Sequence, residues 1–160
     1  MLILPTQLTM AVGLLIIGLF VTGLLGSAIA ASGKCKRTPE DSLGPFYKVG
    51  APVRASVGKG YVLSGFVKSS KDCFPIEGAR IELWLAGPDG KYSDEYRATV
   101  LSDKSGAFRF ESHFPPGYSG RPPHIHIRVS TDGFKPLVTQ HYPVKGKAQG
   151  TFDLVLAPGN

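Results

Sequence analysis

An all-β domain, an antiparallel β-sandwich with Greek-key connections, is what residues 61–160 predict. Three features carry that expectation: short runs rich in β-branched and aromatic residues, turn-forming clusters between them, and no helical period sustained over about ten residues. The expected strands are 61–68, 79–85, 97–101, 107–111, 123–130, 136–141 and 151–156. Between them stand Gly87-Pro88-Asp89-Gly90, Asp103-Lys104-Ser105-Gly106 and Thr131-Asp132-Gly133, whose residues either tolerate positive φ or satisfy backbone amides locally. Short strands at this spacing suit a sandwich or barrel.

The segment before them divides in two. Residues 34–60 lack periodicity and are rich in Gly, Pro, Ser and Lys, which reads as an extended lead-in wrapping the domain. Residues 1–33 contain none of the 18 Lys and Arg or 12 Asp and Glu of the chain. Their apolar run, 8–31, exceeds the about 20 residues needed to cross a bilayer core. Ala28 and Ala30 supply the small-residue pattern of a cleaved export signal. No positive charge precedes the run, however, and Lys34, Lys36 and Arg37 follow it, which by the positive-inside rule describes a retained anchor with the domain in the cytoplasm. Signal peptide and membrane anchor therefore both stand. The two cysteines, Cys35 and Cys73, sit in no zinc or redox spacing. An even count beside an export-like segment suggests one disulfide and an exported or tethered domain outside the cytoplasm.

Net charge +6 raises a nucleic-acid partner, which the pattern excludes. The bases Lys68, Lys71, Arg80, Lys91, Arg97, Lys104 and Arg109 are scattered and without interleaved aromatics. Such a surplus serves solubility, or attraction to anionic substrates and membrane surfaces.

Chemistry concentrates in Gly120-Arg121-Pro122-Pro123-His124-Ile125-His126-Ile127-Arg128-Val129. Alternation places His124, His126 and Arg128 on one strand face and Ile125, Ile127 and Val129 on the other. Imidazoles about 7 Å apart at Cα can converge on one metal ion, and imidazole suits zinc, copper, iron and nickel alike. Further ligands are needed. The nearest acids, Glu111 and Asp132, fit no familiar carboxylate pattern, whereas Tyr92 and Tyr118 both adjoin turns. A phenol of pKa about 10 binds metal at neutral pH only when the ion is a strong Lewis acid, which selects ferric iron.

These residues, with Trp84-Leu85-Ala86-Gly87-Pro88-Asp89-Gly90-Lys91-Tyr92, Pro116-Gly117-Tyr118, Leu137-Val138-Thr139-Gln140 and the lead-in from Thr38 to Tyr47, resemble the catalytic core of the intradiol ring-cleavage dioxygenases. The likeness spans about residues 38–142 and is strongest to short exported members, which favours a Cys35–Cys73 bridge. It implies a transthyretin-like sandwich holding non-haem Fe(III) through Tyr92, Tyr118, His124 and His126. It implies further that a catechol-type substrate and O₂ are the reactants and a muconate-type diacid the product. Tyr118 would be the ligand displaced by substrate, Arg121 the cation beside the bound ring and Gln140 its hydrogen-bonding neighbour. Phe46 and Tyr47 would line the pocket. Trp84 reads as strand packing. His113 and His141 offer a zinc or copper alternative with His124 and His126. Two features depart from the family: the helical amino-terminal domain of catechol-type members is absent, and the stretch 143–150 is short. A second reading, a membrane-tethered binding subunit without catalysis, keeps the sandwich and leaves the chemistry unused. Oligomeric assembly stays open.

Overall fold

A computed structural model describes residues 35–159. The expected signal peptide or anchor, 1–33, lies outside the described residues. Among those described, no helix is long and apolar enough to cross a membrane.

The chain folds as two four-stranded sheets packed face to face. The strands are β1 (Tyr61–Ser69), β2 (Arg80–Trp84), β3 (Arg97–Leu101), β4 (Ala107–Ser112), β5 (Ile125–Ser130), β6 (Leu137–His141), β7 (Gln149–Thr151) and β8 (Leu154–Leu156). A single 3₁₀ turn, Asp94–Tyr96, leads into β3. One sheet runs β4-β1-β7, with β8 continuing beside β1, and the other β3-β2-β5-β6. Between them lie Leu63, Val67, Ile81, Leu83, Ala98, Phe108, Phe110, Ile125, Ile127, Val129, Leu154 and Leu156 in one apolar cluster. Tyr61, Leu63 and Val67 of β1 and Ile125, Ile127 and Val129 of β5 enter it, so the alternation that identified these strands also sets which face each one buries.

The expected strand 151–156 is broken in the structure, and both halves run parallel to β1, not antiparallel. The break has a physical cause in Asp153. Its carboxylate accepts the Phe66 amide at 3.0 Å and the Lys68 ammonium at 2.7 Å, replacing the backbone partner that a continuous strand would offer. Gly65 faces this crossing, where a Cβ would fall 2.1 Å from the Phe152 carbonyl oxygen.

Among the described residues before β1 there is no strand, only isolated bridges from Val53 to Thr99 and from Ser56 to Glu111. Thr38 is tied to β8: its hydroxyl donates to the Asp153 carbonyl at 2.9 Å and accepts the Val155 amide at 2.8 Å. Further along, the Asp41 amide donates to Val138 and Thr99 bonds to Pro52. The lead-in thus crosses from one sheet to the outer face of the other. A disulfide joins Cys35 to Cys73, with the Cα atoms 5.2 Å apart.

His141 is half-buried against Phe152 and accepts the Tyr61 hydroxyl at 2.6 Å. Burial drives its pKa down to about 4. The unfolded chain binds that proton more readily, so His141 costs stability as pH falls from about 6.5 towards about 4 and costs nothing further below. Urea unfolding of His141→Gln between pH 7 and 4 should therefore show a shallower loss of stability than wild type. Opening the Cys35–Cys73 bridge in Cys35→Ser/Cys73→Ser should lower stability by about 4 kcal/mol, measured the same way.

Candidate metal centre

The second sheet has two buried faces. Its inner face enters the apolar cluster; its outer face carries Glu82, Trp84, Arg97, His126 and Gln140, all almost wholly buried under the lead-in. Register aligns three of them. Trp84 of β2, His126 of β5 and Gln140 of β6 are direct neighbours across the sheet.

Trp84 is set by this row. The sequence reading placed it in packing, and it is buried, but outside the apolar cluster: its indole stacks on the His126 imidazole, with ring centres 4.9 Å apart and planes 4° from parallel. On the open side of His126, Gly44 comes so close that a Cβ would sit 2.9 Å from Cε1. Gly44 also has φ +71°, so any side chain there is disfavoured on two counts. His126 is gripped between the indole and the lead-in backbone.

His124 immediately precedes β5. Its Nδ1–H donates to the Pro122 carbonyl at 2.7 Å, which fixes the tautomer and leaves a bare lone pair on Nε2. That atom lies 3.2 Å from His126 Nε2 and 3.1 Å from the Tyr92 hydroxyl. Donors that share an ion through bonds of about 2.0–2.1 Å at angles near 90–110° lie about 2.8–3.4 Å apart. Both neighbours of His124 Nε2 thus lie at the separation of ligands around one metal. His126 Nδ1 and Trp84 Nε1 are buried without a hydrogen-bond partner, and stacking on the indole helps to orient the His126 ring.

Tyr118 joins from a tight hairpin turn. Its amide and carbonyl pair with those of Arg121, and Ser119 and Gly120 take φ of 48° and 78°, the left-handed pair of a type I′ turn. The Tyr118 ring meets that of Tyr92 edge on at 5.4 Å and that of Phe46 at 5.5 Å. Phe46 in turn stacks on Tyr92 at 4.3 Å. The same turn delivers Arg121, whose Nη2 donates to Gln140 Oε1 at 2.8 Å. The Gln140 amide donates to the Ser42 carbonyl at 2.5 Å.

Electrostatics follow from burial. Desolvation pushes the Tyr92 hydroxyl up to about 12, with the Arg121 charge opposing it. Desolvation takes His126 down to about 4, reinforced by His124 and Arg121. His126 is thus a neutral donor, and Tyr92 yields its proton only to a strongly Lewis-acidic ion. The donor set of two imidazoles and two phenols fits ferric iron.

The other histidines are engaged elsewhere. His113 bonds the Ala86 carbonyl at 2.8 Å, and His141 bonds Tyr61. Among the described residues no cluster of three His, Cys, Asp or Glu could hold a metal, which removes the four-histidine zinc or copper alternative. Phe46 and Tyr47, with Trp84, Tyr92 and Arg97, wall a cavity of about 110 Å³ beside Tyr92. Arg97, counted among scattered surface bases in the sequence, is buried and donates to the Phe46 and Lys48 carbonyls, fixing the lead-in at this wall. Three residues at the site carried no sequence signal that was read: Asp41, Glu82 and Tyr142. Tyr142 lies two residues after Gln140 and therefore shares its face, a periodicity that could have flagged it; Asp41 and Glu82 had none.

Curated relatives are similar to this chain. The chlorocatechol 1,2-dioxygenase of Pseudomonas sp. strain P51 is 34% identical over 133 residues, covering 62% of this chain and 53% of the relative. The chain spans about half the length of the curated relatives it matches first. Among solved structures, the dioxygenase domain of a dioxygenase carbohydrate-binding protein fusion from Streptomyces sp. SirexAA-E superposes with TM-score 0.70 at 26% identity. It covers 78% of this chain and 100% of that one. A chlorocatechol 1,2-dioxygenase structure from Pseudomonas putida gives TM-score 0.62 at 25% identity over 71% of this chain and 70% of the other. No protein-family model matches.

Gly44→Ala tests how tightly the site is packed. Its Cβ collides with His126 in a backbone conformation that alanine resists, so the variant should lose about 1–2 kcal/mol of stability. It should also bind less than half the wild-type iron after ferric loading, measured by elemental analysis of the desalted protein.

Proposed function

We infer that this chain, which belongs to the intradiol ring-cleavage dioxygenase family, cleaves a catechol-type ring between its two hydroxyl carbons. One atom of O₂ enters each new carboxyl group of a muconate-type diacid. The observation that carries this reading is that His126 Nε2 and the Tyr92 hydroxyl each lie about one ligand–ligand spacing from His124 Nε2, with Arg121 close to Tyr92. Tyr92, Tyr118, His124 and His126 would hold non-haem Fe(III). When bound, the ion would supply the Lewis acidity that makes a catechol's hydroxyls more acidic and withdraws electron density from its ring.

The chain's own residues divide the remaining work. His126 is held neutral by burial against Trp84, and the Nδ1–H of His124, donated to the Pro122 carbonyl, turns its Nε2 towards the site. Tyr92 is walled by Phe46 on its face and stays in place. Tyr118 sits on an exposed two-residue turn at the rim, where its ring can swing aside and its oxygen hold a substrate proton. Arg121 offers a fixed cation in a partly desolvated site and stabilises negative charge that develops on the substrate. Gln140 locks that guanidinium from below. The aromatic wall of Phe46, Tyr92 and Tyr118 limits water at the reacting face.

The non-catalytic binding subunit is disfavoured: such a module has no use for three convergent donors and an aligned arginine. A domain outside the cytoplasm, exported or anchored through residues 8–31, is supported by the Cys35–Cys73 bridge, since disulfides persist in oxidising compartments.

Iron-loaded protein supplied with catechol under ¹⁸O₂ should yield a ring-opened diacid heavier by two ¹⁸O atoms. No oxygen uptake, or a single labelled oxygen, would contradict the reading. Arg121→Leu should retain iron and lose about 10²–10³-fold in kcat, read by the same oxygen uptake.

A further inference from the structure

We propose that Asp41 and Tyr142 form a clamp that positions Arg121, so that an acid of the lead-in and a tyrosine at the end of β6 set the orientation of the guanidinium. The inference rests on the ring-cleavage reading for its consequence, though not for its geometry. Arg121 stands on a turn and is only half-buried, and an arginine so placed explores many rotamers unless partners restrict it. Two acceptors do so: Gln140 Oε1 at 2.8 Å and the Tyr142 hydroxyl at 3.0 Å, both to Nη2.

The Tyr142 hydroxyl has one proton and two acceptors within reach, Asp41 Oδ2 at 2.8 Å and Gln140 Oε1 at 3.1 Å. The carboxylate is nearer and charged, so it takes the proton. With its hydrogen committed to Asp41, the Tyr142 oxygen turns its lone pairs to Arg121, and Gln140 Oε1 is left to accept from Arg121 as well. Removing the carboxylate charge releases the hydroxyl to swing towards Gln140 and compete for the acceptor that holds the arginine. Asp41 itself does not drift: its amide bonds the Val138 carbonyl at 2.9 Å, and its Oδ1 accepts the Ser42 amide at 2.6 Å. The next carbonyl, that of Ser42, receives the Gln140 amide. One short piece of lead-in therefore fixes both partners of Arg121.

Full-length protein carrying Asp41→Asn, Tyr142→Phe, or both decides the matter with two readouts. In iron-loaded protein each single variant should lower kcat for catechol by about 10- to 100-fold, the cost of misplacing a charge by about 1 Å, with iron content unchanged. The double variant should be no slower than the worse single, and Asp41→Asn should have no further effect in an Arg121→Leu background. In metal-free ¹⁵N-labelled protein the Arg121 Nη signals should show rotation about Cζ–Nε that is slow in wild type and fast in both single variants. Losses that multiply in the double variant, or guanidinium rotation unchanged in Asp41→Asn, would overturn the clamp. Should wild type fail to cleave catechol, the functional reading falls, and the metal-free rotation measurement still decides the clamp.

Discussion

Everything at the candidate metal centre depends on the register of β2, β5 and β6. That register makes Trp84, His126 and Gln140 one row across the sheet. A slip of one residue in β5 would send His126 into the apolar cluster and bring Ile125 or Ile127 to the outer face. The apolar core enforces the register, because Ile125, Ile127 and Val129 are each fully buried and no alternative pairing satisfies them. Hydrophobic burial on one face thus positions chemistry on the other. The two functions share a strand without sharing a side chain.

The outer face is unusual in being buried while polar. Glu82 pairs with Arg128 at 2.8 Å and accepts the Tyr47 hydroxyl at 3.1 Å, so the lead-in finds its seat through charged groups that it covers. Arg97 holds the same segment by its carbonyls. Such contacts are costly to desolvate and stabilise only when complete, which makes the lead-in's path specific. The Cys35–Cys73 bridge and the Thr38 bonds to β8 hold the beginning of that path. With the lead-in in place His126 is closed in; without it the imidazole would face water.

Much of this was legible in the sequence. Alternation at 124–129 gave the face assignment, with Ile125, Ile127 and Val129 in the core and His126 on the other face. Strand boundaries shifted by a residue or two except at the carboxyl end, where Asp153 breaks one expected strand into β7 and β8 by accepting a backbone amide. No periodicity announces such a substitution of side chain for backbone. Trp84 read as ordinary packing because stacking on a histidine is a property of cross-strand register, invisible along one strand. Arg97 read as a surface base because its carbonyl partners come from a segment without secondary structure. Contacts between the lead-in and the sheet span about a hundred positions, as between Thr139 and Pro39, and nothing local encodes them.

The central claim is that Tyr92 and Tyr118 complete a ferric site with His124 and His126. Visible absorption of the iron-loaded chain, before and after catechol is added without oxygen, tests it most directly. Phenolate bound to Fe(III) gives a broad charge-transfer band, which should move to longer wavelength when catecholate binds. It should weaken and shift in Tyr92→Phe and Tyr118→Phe. A protein that takes up iron but stays colourless, with no response to catechol, would contradict the account.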